Sequence, residues 1–422
     1  MKGPASSPST PETGPYAVLR NRDFLYYAVG RFVASFGQQM LTLAVMAELY
    51  ARTHSAVALG IVGLTQFLPM LAMTLPAGHF ADTRSRKGII IVTQGVMAAA
   101  SLGLALISWR QGPILLVYLC LTLSGVARTF MWSASASFLP QLVSREELPP
   151  ALNWSSSTFQ ISAASGPVAA GVLYALSNSA VGVYLLNAAA ALTCLALTCL
   201  VRTHHNPAVK EPFSLKAILG GFHFVFDNRI ILGMITLDMF AVLFGGADTL
   251  IPQFADDILH VSKAGQGLLK AGLPIGSVAC SMIIAHLPPF KKAGRVLIIA
   301  VAVFGLATIG FGFSRTFWLS MLMLIICGMA DTFSIVIRHT SVQLLTPDAM
   351  RGRVSSVNNL FIGTSNELGG AESGFLSGLT GPVFSVVFGG AATLFVVGAV
   401  CRLFPEIPRY GKLVQPAPDP RP

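Results

Sequence analysis

The residues of this 422-residue chain that could do chemistry are nine charges standing inside long apolar runs: the cations Arg31, Arg128 and Arg338, and the acids Glu48, Asp238, Asp248, Asp331, Glu367 and Glu372. A carboxyl group buried away from water resists ionisation, whereas an arginine close to it favours the charged form. A carboxyl that alternates between such settings can load and unload a proton, and an arginine can hold it or another anion. No Gly-x-x-x-x-Gly-Lys-Ser/Thr phosphate loop, His-Glu-x-x-His or Gly-x-Ser-x-Gly sequence occurs, so the ATP hydrolysis and enzyme chemistry that rest on them are excluded. Cys120, Cys194, Cys199, Cys280, Cys327 and Cys401 fall in apolar segments without a Cys-x-x-Cys pair and read as small packing residues. His204-His205 lacks a third ligand and reads as a solvated loop. No metal or other cofactor is expected.

The elements that must position these charges follow from composition. The chain is 53% hydrophobic and 11% charged, against about 25% charged in an ordinary soluble domain. So little charge cannot cover a water-facing surface, which excludes a soluble multidomain enzyme. About 20 apolar residues are needed for a helix to cross the hydrocarbon core. Cutting the chain at charges, prolines and glycines leaves twelve such segments, near 23–50, 57–81, 88–109, 112–139, 151–177, 180–201, 229–253, 263–286, 294–314, 316–343, 354–379 and 382–404. The expected fold is therefore all-α, a membrane protein of twelve transmembrane helices.

Charge outside the spans sets the orientation. Twenty Lys and Arg fall on the side of the N-terminus and five, Arg52, Arg110, Lys263, Lys270 and Arg315, on the other. By the positive-inside rule both termini are cytoplasmic. The net charge of +10 is thus topological and calls for no nucleic-acid partner. Residues 1–20 and 405–422 read as solvated tails, 21–201 and 229–404 as two bundles of six helices, and 202–228 as a cytoplasmic linker. Within the linker Leu215, Ile218, Leu219, Phe222 and Phe226 recur at helical spacing, as in an interfacial helix.

The two bundles resemble each other. GHFADTRSRKG at 78–88 matches AHLPPFKKAGR at 285–295 in position, and LVSREELPPALN at 142–153 matches LLTPDAMRGRVSSVN at 344–358. Such an internal repeat is expected of a duplicated, pseudo-symmetric unit. Charges fall at matched depths in it. Arg31 and Asp238 lie eight or nine residues into the first helix of their halves, and Arg128 and Asp331 near the middle of the fourth. Opposite charges at equivalent positions predict a space between the halves that is electrostatically polarised.

Specific residues then support a family. Gly78, Asp82, Arg86 and Lys87, with Arg84 standing in for a displaced base, resemble the signature loop Gly-x-x-x-Asp-Arg-x-Gly-Arg-Lys of the major facilitator superfamily. The resemblance implies a cytoplasmic gate in which Gly78 permits close helix approach and the bases pair with carboxylates. Ser162 to Gly171, with Gly166, Pro167 and Gly171, is similar to the Gly-Pro-x-x-Gly-Gly antiporter motif, with Ala170 replacing one glycine; tight small-residue packing explains the same residues. Asn21-Arg-Asp-Phe24, Leu250-Ile-Pro-Gln-Phe-Ala-Asp256, Leu345 to Arg353 and Gly363 to Gly369 resemble the transmembrane secretion effectors, the branch of enterobactin exporters, over about residues 20–405.

The resemblance implies the major facilitator fold, two pseudo-symmetric six-helix bundles whose first and fourth helices line the path. It places Arg31, Arg128, Asp238 and Asp331 there. With Glu367 these are the candidates for transport and proton coupling; Gln38, Gln39, Gln160, Asn366 and Glu372 are candidates for the substrate cavity. Arg338, close to a helix end, is expected to snorkel toward water, and Glu48 and Asp248 to sit at wet helix ends. The function expected is proton-coupled export of a small amphiphilic compound, a drug or siderophore, by a monomer in the bacterial cytoplasmic membrane. A narrow siderophore or metabolite exporter, an importer on the same scaffold, and a non-transporting receptor are the alternatives.

Overall fold

A computed structural model describes residues 16–144, 146–202, 215–288, 290–347 and 350–411, with the side chains of Leu75, Asp82 and residues 215–219 set apart. Long helices follow one another: α1 (Arg22–Thr53), α2 (Ala56–Thr83), α3 (Arg86–Trp109), α4 (Ile114–Leu142), α5 (Leu148–Ser177) and α6 (Val181–Leu200). A short α7 (Leu215–Asp227) leads into α8 (Arg229–Phe244), the single turn α9 (Ile251–Gln253), α10 (Lys263–His286), α11 (Ala293–Phe313), α12 (Phe317–Leu345), α13 (Arg351–Thr380), α14 (Pro382–Leu403) and the turn α15 (Glu406–Arg409). Local chemistry sets the ends. Asn21 accepts from the backbone of Asp23 and Phe24 to start α1, and Ser85, Asn228 and Ser262 start α3, α8 and α10 in the same way. The left-handed residues His54, Gln111, Asn178 and His260 and the positive-φ Gly381 all lie in turns at one end of the molecule, called here the far end. The near end carries Asn21 and the α2–α3 turn.

Helix packing repeats. In the first group α1 packs on α5 and α6, α4 on α2 and α3, and α3 on α6; in the second, α8 packs on α13 and α14, α12 on α10 and α11, and α11 on α14. The groups meet along α5 with α10 and α2 with α13. Among the described residues eleven helical stretches are long and apolar enough to cross a membrane. α13 has the length, 30 residues, but Asn358, Asn359, Asn366, Glu367 and Glu372 make it too polar to count with them. Leu119, Leu176, Trp318 and Phe395 are exposed on the outside, where a membrane protein turns apolar side chains to lipid.

Four expectations change. The seventh segment is not one even helix: after α8 the chain tightens into a 3-10 turn at Gly246–Leu250 and widens into a π turn at Phe254–Ile258, because Gly245 and Gly246 release the backbone and Pro252 lacks a donor. α7 is more than an interfacial helix, since Val225 is buried and Phe222 meets Phe361 of α13 edge to face. The first tail ends earlier, for Ala17–Arg20 form a 3-10 turn with Val18 buried. The last begins later, for Ile407 is buried and the backbone N–H groups of Ala293 and Gly294 donate to the carbonyls of Gly411 and Tyr410. The rest of both tails and His204-His205 lie outside the described residues.

Candidate functional site

The far-end halves of the helices between the groups are joined; toward the near end, among the described residues, no such close backbone approach closes the space between them. A Cβ at Gly171 of α5 would meet the carbonyl of Lys263 and the backbone of Gly267 in α10, and one at Gly60 of α2 would meet Ala371 and Gly374 of α13. Only glycine permits backbones so close. Tyr50 of α1 also donates a hydrogen bond to Asp257 across the groups at this end. Toward the near end, Leu71 and Phe80 of α2, Leu152 of α5 and Met282 of α10 are exposed.

Facing this opening, α1 and α4 carry the two expected cations. Arg31 donates from Nη1 to the sulfur of Met131 at 3.3 Å, a weak acceptor. Among the described residues no carboxylate forms a salt bridge with it. Arg128, one turn of α4 from Met131, does have an anion: its Nη2 lies 2.6 Å from Oε1 of Glu367 on α13. The side chains of this pair are 32% and 21% exposed, so the bond between the groups faces open space. Toward the far end Gln38 lines a small cavity of about 10 Å³ with Thr42, Val45, Gln66, Leu121 and Ser124.

The acids of the second group are arranged differently from their depth-matched partners. Asp238 pairs with Arg338 of α12, not with Arg31, and the two side chains are 6% and 2% exposed. Arg338 therefore does not snorkel. It points into the bundle because Asp331, Ser334, Arg338 and Ser341 follow helical spacing along one face of α12. Asp331 shares a cavity of about 10 Å³ with Asp238 and Ser334, close to the smallest space that holds a water. The buried Oγ of Ser334 and Nε of Arg338 have no protein partner. Glu48 is buried and not at a wet helix end, accepting from Tyr184 at 2.6 Å and lying 3.4 Å from Arg52; Asp248, bonded to Lys270, is half exposed.

The other predicted residues divide between cavity and packing. Gln39 abuts Gly166 of α5, so it joins helices. Gln160 is half-buried, and Asn366 is exposed and bonds back to the carbonyl of Ile362 at 2.8 Å. Glu372 accepts from Ser373 at 3.3 Å. The stretch 162–171 packs α5 on α1 through Gly166 and on α10 through the Pro167 carbonyl and Gly171. In the signature loop, a Cβ on Gly78 would meet nothing within 4 Å; the helices have no close approach there. Among the described residues Arg86 and Lys87 form no salt bridge with a carboxylate. Arg86 donates to the carbonyl of Ser137 at 2.8 Å and Lys87 to those of Cys199 and Val201 at 2.9 Å, where the negative ends of α4 and α6 attract cations. Arg84 is exposed, and the Asp82 side chain lies outside the described residues. The Tyr50–Asp257 and Tyr184–Glu48 bonds carried no spacing signal. Among the described residues no cluster of His, Cys, Asp or Glu could hold a metal ion, and the six cysteines are free thiols.

The chain is similar over most of its length to known transport proteins. The transmembrane secretion effector family matches residues 13–417. The enterobactin exporter EntS of Citrobacter koseri is 26% identical over 93% of this chain and 94% of its own, and that of Escherichia coli O1:K1 is 25% identical over 90% and 92%. In fold, the nucleoside transporter NupG superposes with a TM-score of 0.71 at 15% identity, covering 90% of this chain and 99% of that one. A bacterial homologue of the human lysosomal transporter Spinster, inward-facing and occupied, gives 0.72 at 13% identity, with 94% and 97% covered. The chain belongs to the transmembrane secretion effector family, and is a multi-pass membrane transporter of the major facilitator type and not an enzyme.

Proposed function

We propose that the protein is a proton-coupled exporter of small amphiphilic compounds, an antiporter working as a monomer by alternating access in the cytoplasmic membrane of a bacterium. The observation that carries this reading is the partly exposed Arg128–Glu367 bond, which joins the two helix groups beside a space that, among the described residues, backbone contacts close at the far end. In it α13 also spans the membrane, which brings the spans to twelve, residues 21–201 and 229–404 are the two halves, and the near end, with its excess of Lys and Arg, is cytoplasmic. The arrangement is then inward-facing, and among the described residues Arg86 and Lys87 hold helix ends of their own half. Asp331 is our choice of proton carrier. Asp238 and Glu367 each occupy an arginine, whereas Asp331 has no salt bridge among the described residues and lines a cavity with Asp238 and no basic side chain. The likeness to enterobactin exporters favours a second reading, a narrow siderophore exporter.

The test is accumulation of a dye and drug panel, and secretion under iron starvation, in cells with and without the protein, with and without a protonophore. Export that collapses with the gradient, and is lost in Asp331→Asn while Glu367→Gln stays gradient-dependent, is expected. Export that persists after gradient collapse rules out proton antiport. A change confined to iron-starvation secretion selects the siderophore reading.

A further inference from the structure

Beside the opening, the wall of the first helix group holds one more positive charge than it has anions to meet. Arg31 has five N–H donors, and the partner shown for it is a thioether. Met131, that partner, stands one turn of α4 from Arg128, so the two guanidinium groups serve the same stretch of wall. Glu367 satisfies Arg128 alone, and it reaches across from the other group to do so. Two other buried charges have protein partners: Glu48 has Arg52 and Tyr184, and Asp238 has Arg338. A cation inside a membrane that lacks a protein counter-ion marks a place for a ligand's charge.

We propose that this site takes a small organic anion, a carboxylate or phenolate with an apolar body, held by Arg31 and Arg128, and that Glu367 is a built-in competitor that the anion displaces from Arg128. One monoanion and the freed, still ionised Glu367, turned into the open space, bring two cations and two anions together, so charge balances without a proton at this site. Two guanidinium forks suit the planar oxygens of a carboxylate. The apolar body then lies in the open space, and beyond it toward the far end Gln38 and Gln66 line a cavity of about 10 Å³ that holds no more than a water. Because Glu367 belongs to the other helix group, displacing it removes a bond that ties the groups together, and so links anion binding to their relative movement. The inference rests on the transport reading for the role of the opening, but not for the binding itself.

The test uses the purified full chain in detergent, with sodium salicylate as the anionic probe and salicylamide as its uncharged counterpart, sodium chloride keeping ionic strength constant. The melting temperature is followed against probe concentration in wild type, Glu367→Gln, Arg31→Gln and Glu367→Gln/Arg31→Gln. Removing the competitor is expected to lower the salicylate concentration for half the stabilisation about tenfold or more, because an ionised carboxylate no longer holds Arg128. Removing Arg31 from that variant is expected to abolish the gain, and salicylamide to stabilise none of them. Where Arg31→Gln does not fold, Arg31→Lys replaces it and is expected to weaken binding by losing the fork. Equal responses of wild type and Glu367→Gln, no response in any variant, or an equal response to salicylamide overturns the proposal. No transport is measured, so such a failure leaves gradient-driven export standing, and a failure of export leaves the binding result intact.

Discussion

Exposure separates the two intramembrane ion pairs. Arg338 and Asp238 are 2% and 6% exposed, so deleting one leaves the other charged and dry, a loss of about 3–5 kcal/mol for a buried pair. Asp238→Ala should therefore lower the melting temperature sharply, while replacing both partners, Asp238→Leu with Arg338→Met, should recover most of it. Arg128 and Glu367 are 32% and 21% exposed, and water takes over from a lost partner there, at a cost of no more than about 1 kcal/mol. Glu367→Gln should leave the melting temperature without ligand nearly unchanged. Comparing these three variants with wild type by thermal denaturation checks both statements; a large loss in Glu367→Gln together with a small one in Asp238→Ala would reverse the assignment of structural and mobile pairs. Chemistry was legible at this scale only as a set of residues. That Arg31, Arg128, Asp238, Asp331 and Glu367 lie inside helices follows from hydropathy. Which of them touch depends on helix rotation and tilt, so the matched depths of Arg31 and Asp238 did not predict that Asp238 bonds to Arg338, a hundred residues away.

Helices show the opposite balance. Most of their ends lie within three residues of the segments read from the sequence, because an apolar run of membrane length has one stable form and its ends carry caps and positive-φ turns. Failures fall where the backbone departs from an α-helix, at Gly245–Gly246 and the π turn, and where amphipathic pieces such as α7 and α15 find a protein surface. Pairing of helices was less legible, since small residues signal close packing but not the partner. The structure supplies partners: Gly166 meets α1 and Gly171 meets α10. Gly171→Leu is expected to force α5 and α10 apart at the far end, because the carbonyl of Lys263 and the backbone of Gly267 occupy the space its side chain needs. Gly78→Leu, with nothing within 4 Å of its Cβ, should leave that packing alone. Labelling of a cysteine placed at Ser179, in the far-end turn after α5, should rise several-fold in Gly171→Leu and not in Gly78→Leu. Equal labelling in both would mean that the α5–α10 contact does not keep the far end shut.

For the whole molecule the question is which end opens, and to which side of the membrane. The groups touch at the far end through glycine-paved crossings and through Tyr50 to Asp257, a bond that ties α1 to the π turn after α9. Asp256 beside it is held by Lys263 at 2.8 Å and Gln266 at 2.6 Å, so the acceptor side of the bond rests on the start of α10, the helix that Gly171 also meets. Loosening one contact should therefore weaken the other. Tyr50→Phe removes the hydroxyl and keeps the ring, which leaves the apolar packing of α1 in place. It is expected to shift the equilibrium toward a far-end-open form by roughly the worth of one hydrogen bond to a charged group, about 1.5–3 kcal/mol. The shift is seen by placing single cysteines at the exposed Thr316 of the far end and Thr83 of the near end, in a chain freed of its native cysteines, and labelling whole cells with a membrane-impermeant maleimide. With the near end cytoplasmic, as proposed, only the Thr316 cysteine should react from outside. Adding Tyr50→Phe should then raise the reactivity of a third cysteine, at Gln38 inside the opening, from the outer side, because that face becomes reachable once the far end parts. Reaction of the Thr83 cysteine in intact cells would invert the orientation, and an unaltered Gln38 cysteine would leave the glycine crossings, not the tyrosine, as the closure of the far end.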